Sequence, residues 1–171
     1  MWIEKVDKHH YMDSSTRGLR LYFGKDVNGE LKSEIINFCK WLRSEYYFPL
    51  RILVKIMNWD IIVLSSEEEC VGVFACQDNW DEKKDSKKKL PKIYVAVGKF
   101  DKQLKKHGFV KTLHKHLTNI VHELTHYYQW YFYEFENRTD RSLEIEANKW
   151  GLYLAGEYIF KNHEAKEIID L

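Results

Sequence analysis

Apolar residues recur along the chain with two different periods. GLRLYFG (18–24), LRILVKIMNWDIIVL (50–64), VGVFACQ (71–77) and KIYVAVG (92–98) are strand-length runs rich in β-branched and aromatic residues. They predict strands, with 50–64 supplying one or two. From Ser33 the spacing lengthens: Ile35, Ile36, Phe38, Cys39, Leu42 and Tyr46 recur three and four apart, a helix that Pro49 stops. Asn28-Gly29 just before it reads as a turn. KFDKQLKKHG (99–108) predicts a short helix closed by Gly108. A long helical pattern without Gly or Pro runs from Val110 to about Phe135. After the loop ENRTDRS (136–142), with Asp140 or Ser142 as the cap, a last helix runs from about Leu143 to Lys161. The polar, Lys-rich stretch DNWDEKKDSKKKLP (78–91) reads as a solvated hairpin loop, with a flap over a cleft as the sharper reading.

Strands and one helix followed by two long helices make an α+β arrangement. Its sheet is expected to be small and mostly antiparallel, packed on the long helix. The 171 residues suit a single domain, with strands and one helix in 1–98 and the helices that matter for function in 110–162. Composition changes the picture little: 44% hydrophobic and 31% charged is a globular balance, and 15% aromatics leaves rings to line a cleft. A net charge of +1 gives no global reason to bind nucleic acid or an anionic membrane. The apolar runs are too short to span a membrane, and MWIEKVDKHHYMDSS (1–15) does not resemble a signal peptide. Cys39, Cys70 and Cys76, widely spaced and without a CxxC pair, point to reduced thiols in a cytoplasmic protein.

Chemistry enters at VHELTHYYQW (121–130). Leu113, Leu117, Ile120, Leu124, Tyr127 and Tyr131 form one apolar stripe on the long helix. His122 and His126, four apart, meet on a face roughly opposite that stripe. Such a pair supplies two imidazole ligands for zinc. Glu123 follows the first histidine, so its carboxylate would flank the metal without ligating it. It could then take a proton from an acidified water and hand it to a leaving amine.

A third ligand is needed. SLEIEANKWGLYLAGEY (142–158) brings a helix back, and Glu146 lies twenty residues after His126. Two histidines and a glutamate are an established catalytic zinc set, so Glu146 is the expected third ligand. Ala147, Gly151 and Ala155 form a small-residue row that would let the two helices approach closely. Glu144 and His163 are the alternative third ligands, although Glu144 projects from a different face, where its plainer role is favourable charge in the first helical turn. Glu157 is too far down the helix, Glu134 and Glu136 ride on the histidine helix, and His163 sits at the far end.

HELTH followed by a helix bearing EIEAN resembles the gluzincin group of metallopeptidases. EIEANKWGLYL is most similar to the short ImmA/IrrE-type metallopeptidases. The likeness covers about residues 112 to 160. It implies a minimal zincin-like fold, a Zn²⁺ cofactor, His122, His126 and Glu146 as ligands, Glu123 as general base, and a protein or peptide substrate that could be one specific regulator. Thermolysin-like chains carry an acid four residues after the ligand glutamate; here Trp150 stands there, leaving the partners of the histidines unassigned. A second likeness, HELTHYYQW with Trp130 four after the second histidine, is to SprT-like proteases, which act on proteins at DNA and use a third histidine. Only His163 could supply it. A non-catalytic protein-binding module on the same fold is the alternative from another class, and an intact Glu123 speaks against it.

Tyr153, two turns beyond Glu146, is the candidate donor to an oxyanion. His114 reads as a rim or surface residue, and His9-His10 as a solvated pair. VGVFACQ, with Cys76, or KIYVAVG could be the edge strand that holds an extended peptide, or equally an interior strand.

Overall fold

The structure is a computed structural model, and it describes residues 18–75, 91–132, 135 and 137–164. The Lys-rich segment 78–91 apart from Pro91, Cys76, His9, His10, Glu134 and Glu136 lie outside the described residues.

Four strands form one sheet: β1 (Leu19–Phe23), β2 (Ile52–Met57), β5 (Gly72–Ala75) and β6 (Lys92–Ala96), in the order β1-β2-β6-β5. Two short strands, β3 (Ile62–Val63) and β4 (Glu69–Cys70), pair as a separate hairpin, so the run 50–64 supplies two strands. β1 and β2 are parallel, with Leu21 opposite Val54, and β2 and β6 are parallel, with Ile56 opposite Val95. Only β5 runs the other way, placing Phe74 opposite Ile93. The sheet is therefore mixed, and the expectation of a mostly antiparallel one is corrected. The reason is the connection. Helix α1 (Gly29–Glu45) lies between β1 and β2 and carries the chain back to the end where it started, as a parallel neighbour requires.

One face of the sheet is covered. Along β2, Ile52, Val54 and Ile56 are wholly buried, while Leu53, Lys55 and Met57 are half-buried; Ile93 and Val95 continue the buried row on β6. That alternation is the signature of a sheet packed on one side. Against it lie α1 and the long helix α3 (Phe109–Tyr131), which follows the short α2 (Phe100–His107). Leu31, Ile35, Phe38, Cys39 and Leu42 form the buried stripe of α1. Asn28 caps this helix by accepting from Glu30 N and Leu31 N, so Asn28-Gly29 opens a helix rather than making a free-standing turn.

α3 is buried on more than one side. Leu113, Leu117, Ile120, Leu124 and Tyr127 meet the core as the stripe requires, and Tyr131 packs at its edge. The Tyr127 hydroxyl is anchored at the entry to β2, donating to Leu50 O (2.9 Å) and accepting from Leu50 N (3.0 Å). The neighbouring flank of α3 receives α4 (Asp140–Ile159), which ends in a π-helical turn, Phe160–Glu164. Ala147, Gly151 and Ala155 are buried, and a Cβ on Gly151 would come within 2.9 Å of the Thr118 carbonyl oxygen. The small-residue row thus does allow a close helix approach. Among the described residues, no helix is long and apolar enough to cross a membrane.

Candidate metal site

The site lies where α3, the start of α4 and the edge strand β5 meet, in a cleft of about 770 Å³. α3 contributes His122 and His126, both half-buried, with ring centroids 4.8 Å apart. α4 contributes Glu144. Thr139, not Asp140 or Ser142, caps α4, accepting from Ser142 N. The helix therefore begins at Asp140, three residues before the expected start. Glu144 falls in its second turn, three residues before Ala147 and seven before Gly151, on the row that packs against α3.

The polar atoms converge. His122 Nε2 and His126 Nε2 are 3.1 Å apart; Glu144 Oε1 is 3.1 Å from His126 Nε2 and Glu144 Oε2 is 3.4 Å from His122 Nε2. Zinc–ligand bonds of about 2.0–2.1 Å arranged tetrahedrally put neighbouring ligand atoms about 3.3 Å apart. The separation of the two imidazole nitrogens is close to that edge, and each Glu144 oxygen lies at about that distance from one of them; two imidazoles with a carboxylate are a zinc donor set. Burial, and secondarily the adjacent His126, hold the His122 pKa below its usual value, against opposing effects of Glu144 and of a hydrogen bond with Asn148. A neutral imidazole is what a metal ligand must be.

Glu123 stands beside the trio with only 7% of its surface exposed. Burial, helped by the Glu144 carboxylate, pushes its carboxyl up to about 8, while the Phe74 main-chain N–H opposes the shift. A divalent cation would act in the same lowering sense. The carboxylate fits against β5 because residue 72 is glycine. A Cβ there would lie 2.5 Å from Glu123 Oε1.

Glu146 is where expectation and structure part. It is not among the atoms at the histidines. It receives Arg138 Nη1 at 2.5 Å and Gln129 Nε2 at 3.1 Å. Burial works against its charge, but the hydrogen bonds from Arg138, Gln129 and Trp150 and the Arg138 charge prevail and lower its pKa. Two residues along a helix is a turn of about 200°, so of Glu144 and Glu146 only one can face the histidines. Tyr153, placed by its relation to Glu146, goes with it. It is 56% exposed, rests edge-on against Trp150, and is not among the residues lining the cleft. His163 is also remote, paired with Glu34 at 3.2 Å. His116 is interior: it is 3% exposed and lies against Phe100. His114 is half-buried near Gly156.

Several site residues escaped the sequence reading. Asn148, four after Glu144, bonds His122, so the position that Trp150 left without a polar group is filled once the count starts at Glu144. Gln129, fully buried, reaches His126 Nδ1 at 2.8 Å. Both are amides at helical spacing from a site residue, and that spacing was the available signal. Gly72 had none, since its neighbour Glu123 is distant in sequence. Apolar walls are supplied by Leu64, Val71, Val73, Phe74, Phe135 and Leu143. Cys70 also lines the cleft, and burial and the nearby Glu123 raise its pKa, keeping it a thiol.

No family model, no curated protein and no solved structure matches this chain.

Proposed function

We propose that this chain is a zinc-dependent metallopeptidase whose metal is held by His122, His126 and Glu144. The observation that carries the proposal is the placement of Glu123: a nearly buried carboxylate at a three-donor cluster, accommodated by a glycine on the adjoining strand. A purely structural zinc site has no use for such a group. Glu144 takes the ligand role that the gluzincin resemblance would give to Glu146.

Zinc in such a site supplies a Lewis acid and an acidified water. The protein's own part is proton handling and positioning. Glu123 accepts the proton of the attacking water and returns it to the leaving amine. Asn148 and Gln129 orient the two imidazoles. β5, the edge strand of the described sheet, lines the cleft beside Glu123 and offers main-chain groups to an extended peptide. The substrate class is protein or peptide. In keeping with the ImmA/IrrE likeness, it is one specific regulator rather than bulk protein.

The test compares zinc-loaded wild type with Glu123→Gln on a peptide library read by mass spectrometry. Wild type should cleave, and the variant should keep its zinc and lose about 10²- to 10⁴-fold in rate. Equal cleavage by both, or zinc-loaded wild type that binds peptides and cuts none, would overturn the proposal. The second outcome would favour a binding module.

A further inference from the structure

Gln129 lies one turn beyond His126 and is wholly buried. Its Nε2 has two acceptors, Leu143 O at 3.0 Å and Glu146 Oε2 at 3.1 Å. Leu143 O is a carbonyl and only accepts. Glu146 Oε2 also takes a hydrogen bond from Arg138 Nη1, and a guanidinium only donates. Both amide hydrogens of Gln129 are therefore committed, which determines which way round the amide sits. Its Oε1 must face His126 Nδ1, 2.8 Å away. A carbonyl oxygen accepts, so Nδ1 must carry the hydrogen. In the neutral ring that metal binding requires, the opposite nitrogen, Nε2, is then the one with the lone pair, and it points at His122 Nε2 and Glu144.

We propose that Gln129, clamped by Glu146 and Arg138, is a positioning residue that sets the His126 tautomer and presents its Nε2 to a divalent cation. This rests on the trio being a metal site, and it gives Glu146 a role. Arg138 is itself tied to the first turn of α4, donating from Nη2 to Ser142 O (3.0 Å) and Oγ (2.9 Å). Arg138 thus holds Glu146 on Gln129 and away from the metal position. The orientation of a residue on α3 is in this way set by Arg138, just before α4, and by Glu146 in its second turn.

Long-range ¹H–¹⁵N NMR of the metal-free protein reads the tautomer directly, and zinc competition with a chromophoric chelator reads its consequence. At a pH where the ring is neutral, His126 of wild type should show a donor-type Nδ1 and an acceptor-type Nε2. Gln129→Met should mix the two tautomers and weaken zinc binding about 10- to 100-fold. Glu146→Leu, which frees the amide to rotate, should shift the tautomer in the same direction and serves if Gln129→Met does not fold. A wild-type His126 with hydrogen on Nε2 would overturn the proposal, as would variants that keep both the wild-type tautomer and the wild-type zinc affinity. If wild type binds no zinc, the metal reading fails while the tautomer measurement still decides whether Gln129 orients the ring.

Discussion

Gly72 and Glu123 occupy space that only a glycine leaves free: a Cβ on residue 72 would stand 2.5 Å from Glu123 Oε1 and 2.9 Å from its Cγ. The nearest obstructing atoms all belong to a flexible side chain, so Gly72→Ala should displace Glu123 rather than unfold the protein. We expect a stability loss of about 1 kcal/mol, at the low end for overpacking. The proposed peptide cleavage should fall at least about tenfold, the equivalent of a small misplacement of the proposed general base. Urea unfolding and initial rates measure the two separately. Unchanged cleavage would mean that the Glu123 position against β5 does not matter.

Gly151 poses the opposite case, because what a Cβ would meet is backbone. The Thr118 carbonyl oxygen lies 2.9 Å from that position. Gly151→Ala gains about 1 kcal/mol in helix propensity, yet it must push α3 and α4 apart. A net loss of about 1–3 kcal/mol in urea unfolding is expected, together with weaker zinc binding, since the proposed ligands sit on both helices. A net gain in stability would show that the two helices have slack between them.

The same small-residue row shows what was legible in the sequence. It correctly announced that α3 and α4 pack closely. Applied to both carboxylates, it also points to Glu144, which shares the row with Ala147 and Gly151, while Glu146 is about 100° away from Ala147. The twenty-residue offset from His126 points to Glu146 instead. What no local pattern carried was the ion pair from Arg138, which claims Glu146. Strand direction was illegible for a related reason. A strand's sequence encodes its alternation but not its neighbour, and the parallel pairing of β1, β2 and β6 comes from the connections between them. The two-histidine face and the buried stripe of α3 were readable because helical periodicity is local.

His116 predicts an acid weakness. Its ring is 3% exposed, and neither nitrogen has a hydrogen-bond partner among the described residues. Burial, helped by the charge of Lys115, lowers its pKa from 6.5 to about 4. The unfolded chain therefore takes up a proton at higher pH than the folded one. Stability from the neutral ring is full above 6.5 and declines as pH falls toward 4. The group should remove about 3 kcal/mol over that window. Urea unfolding against pH should show a shallower acid decline in His116→Leu than in wild type. Parallel curves would contradict the assignment.

Tyr127 ties the site helix to the sheet through both hydrogen bonds to Leu50. Tyr127→Phe leaves that main-chain N–H and C=O without their partner. The expected cost is about 1–3 kcal/mol, read by thermal or urea unfolding. A neutral substitution would mean that water or a backbone shift replaces the hydroxyl.

The central claim is that Glu144, together with His122 and His126, completes a zinc site. The most direct measurement is an anomalous difference map at the zinc edge from crystals of the zinc-loaded protein. One strong peak is expected at about 2.0–2.1 Å from His122 Nε2, His126 Nε2 and a Glu144 carboxylate oxygen, with Glu146 still on Arg138. A peak ligated by Glu146, or no peak between the two histidines, would contradict it.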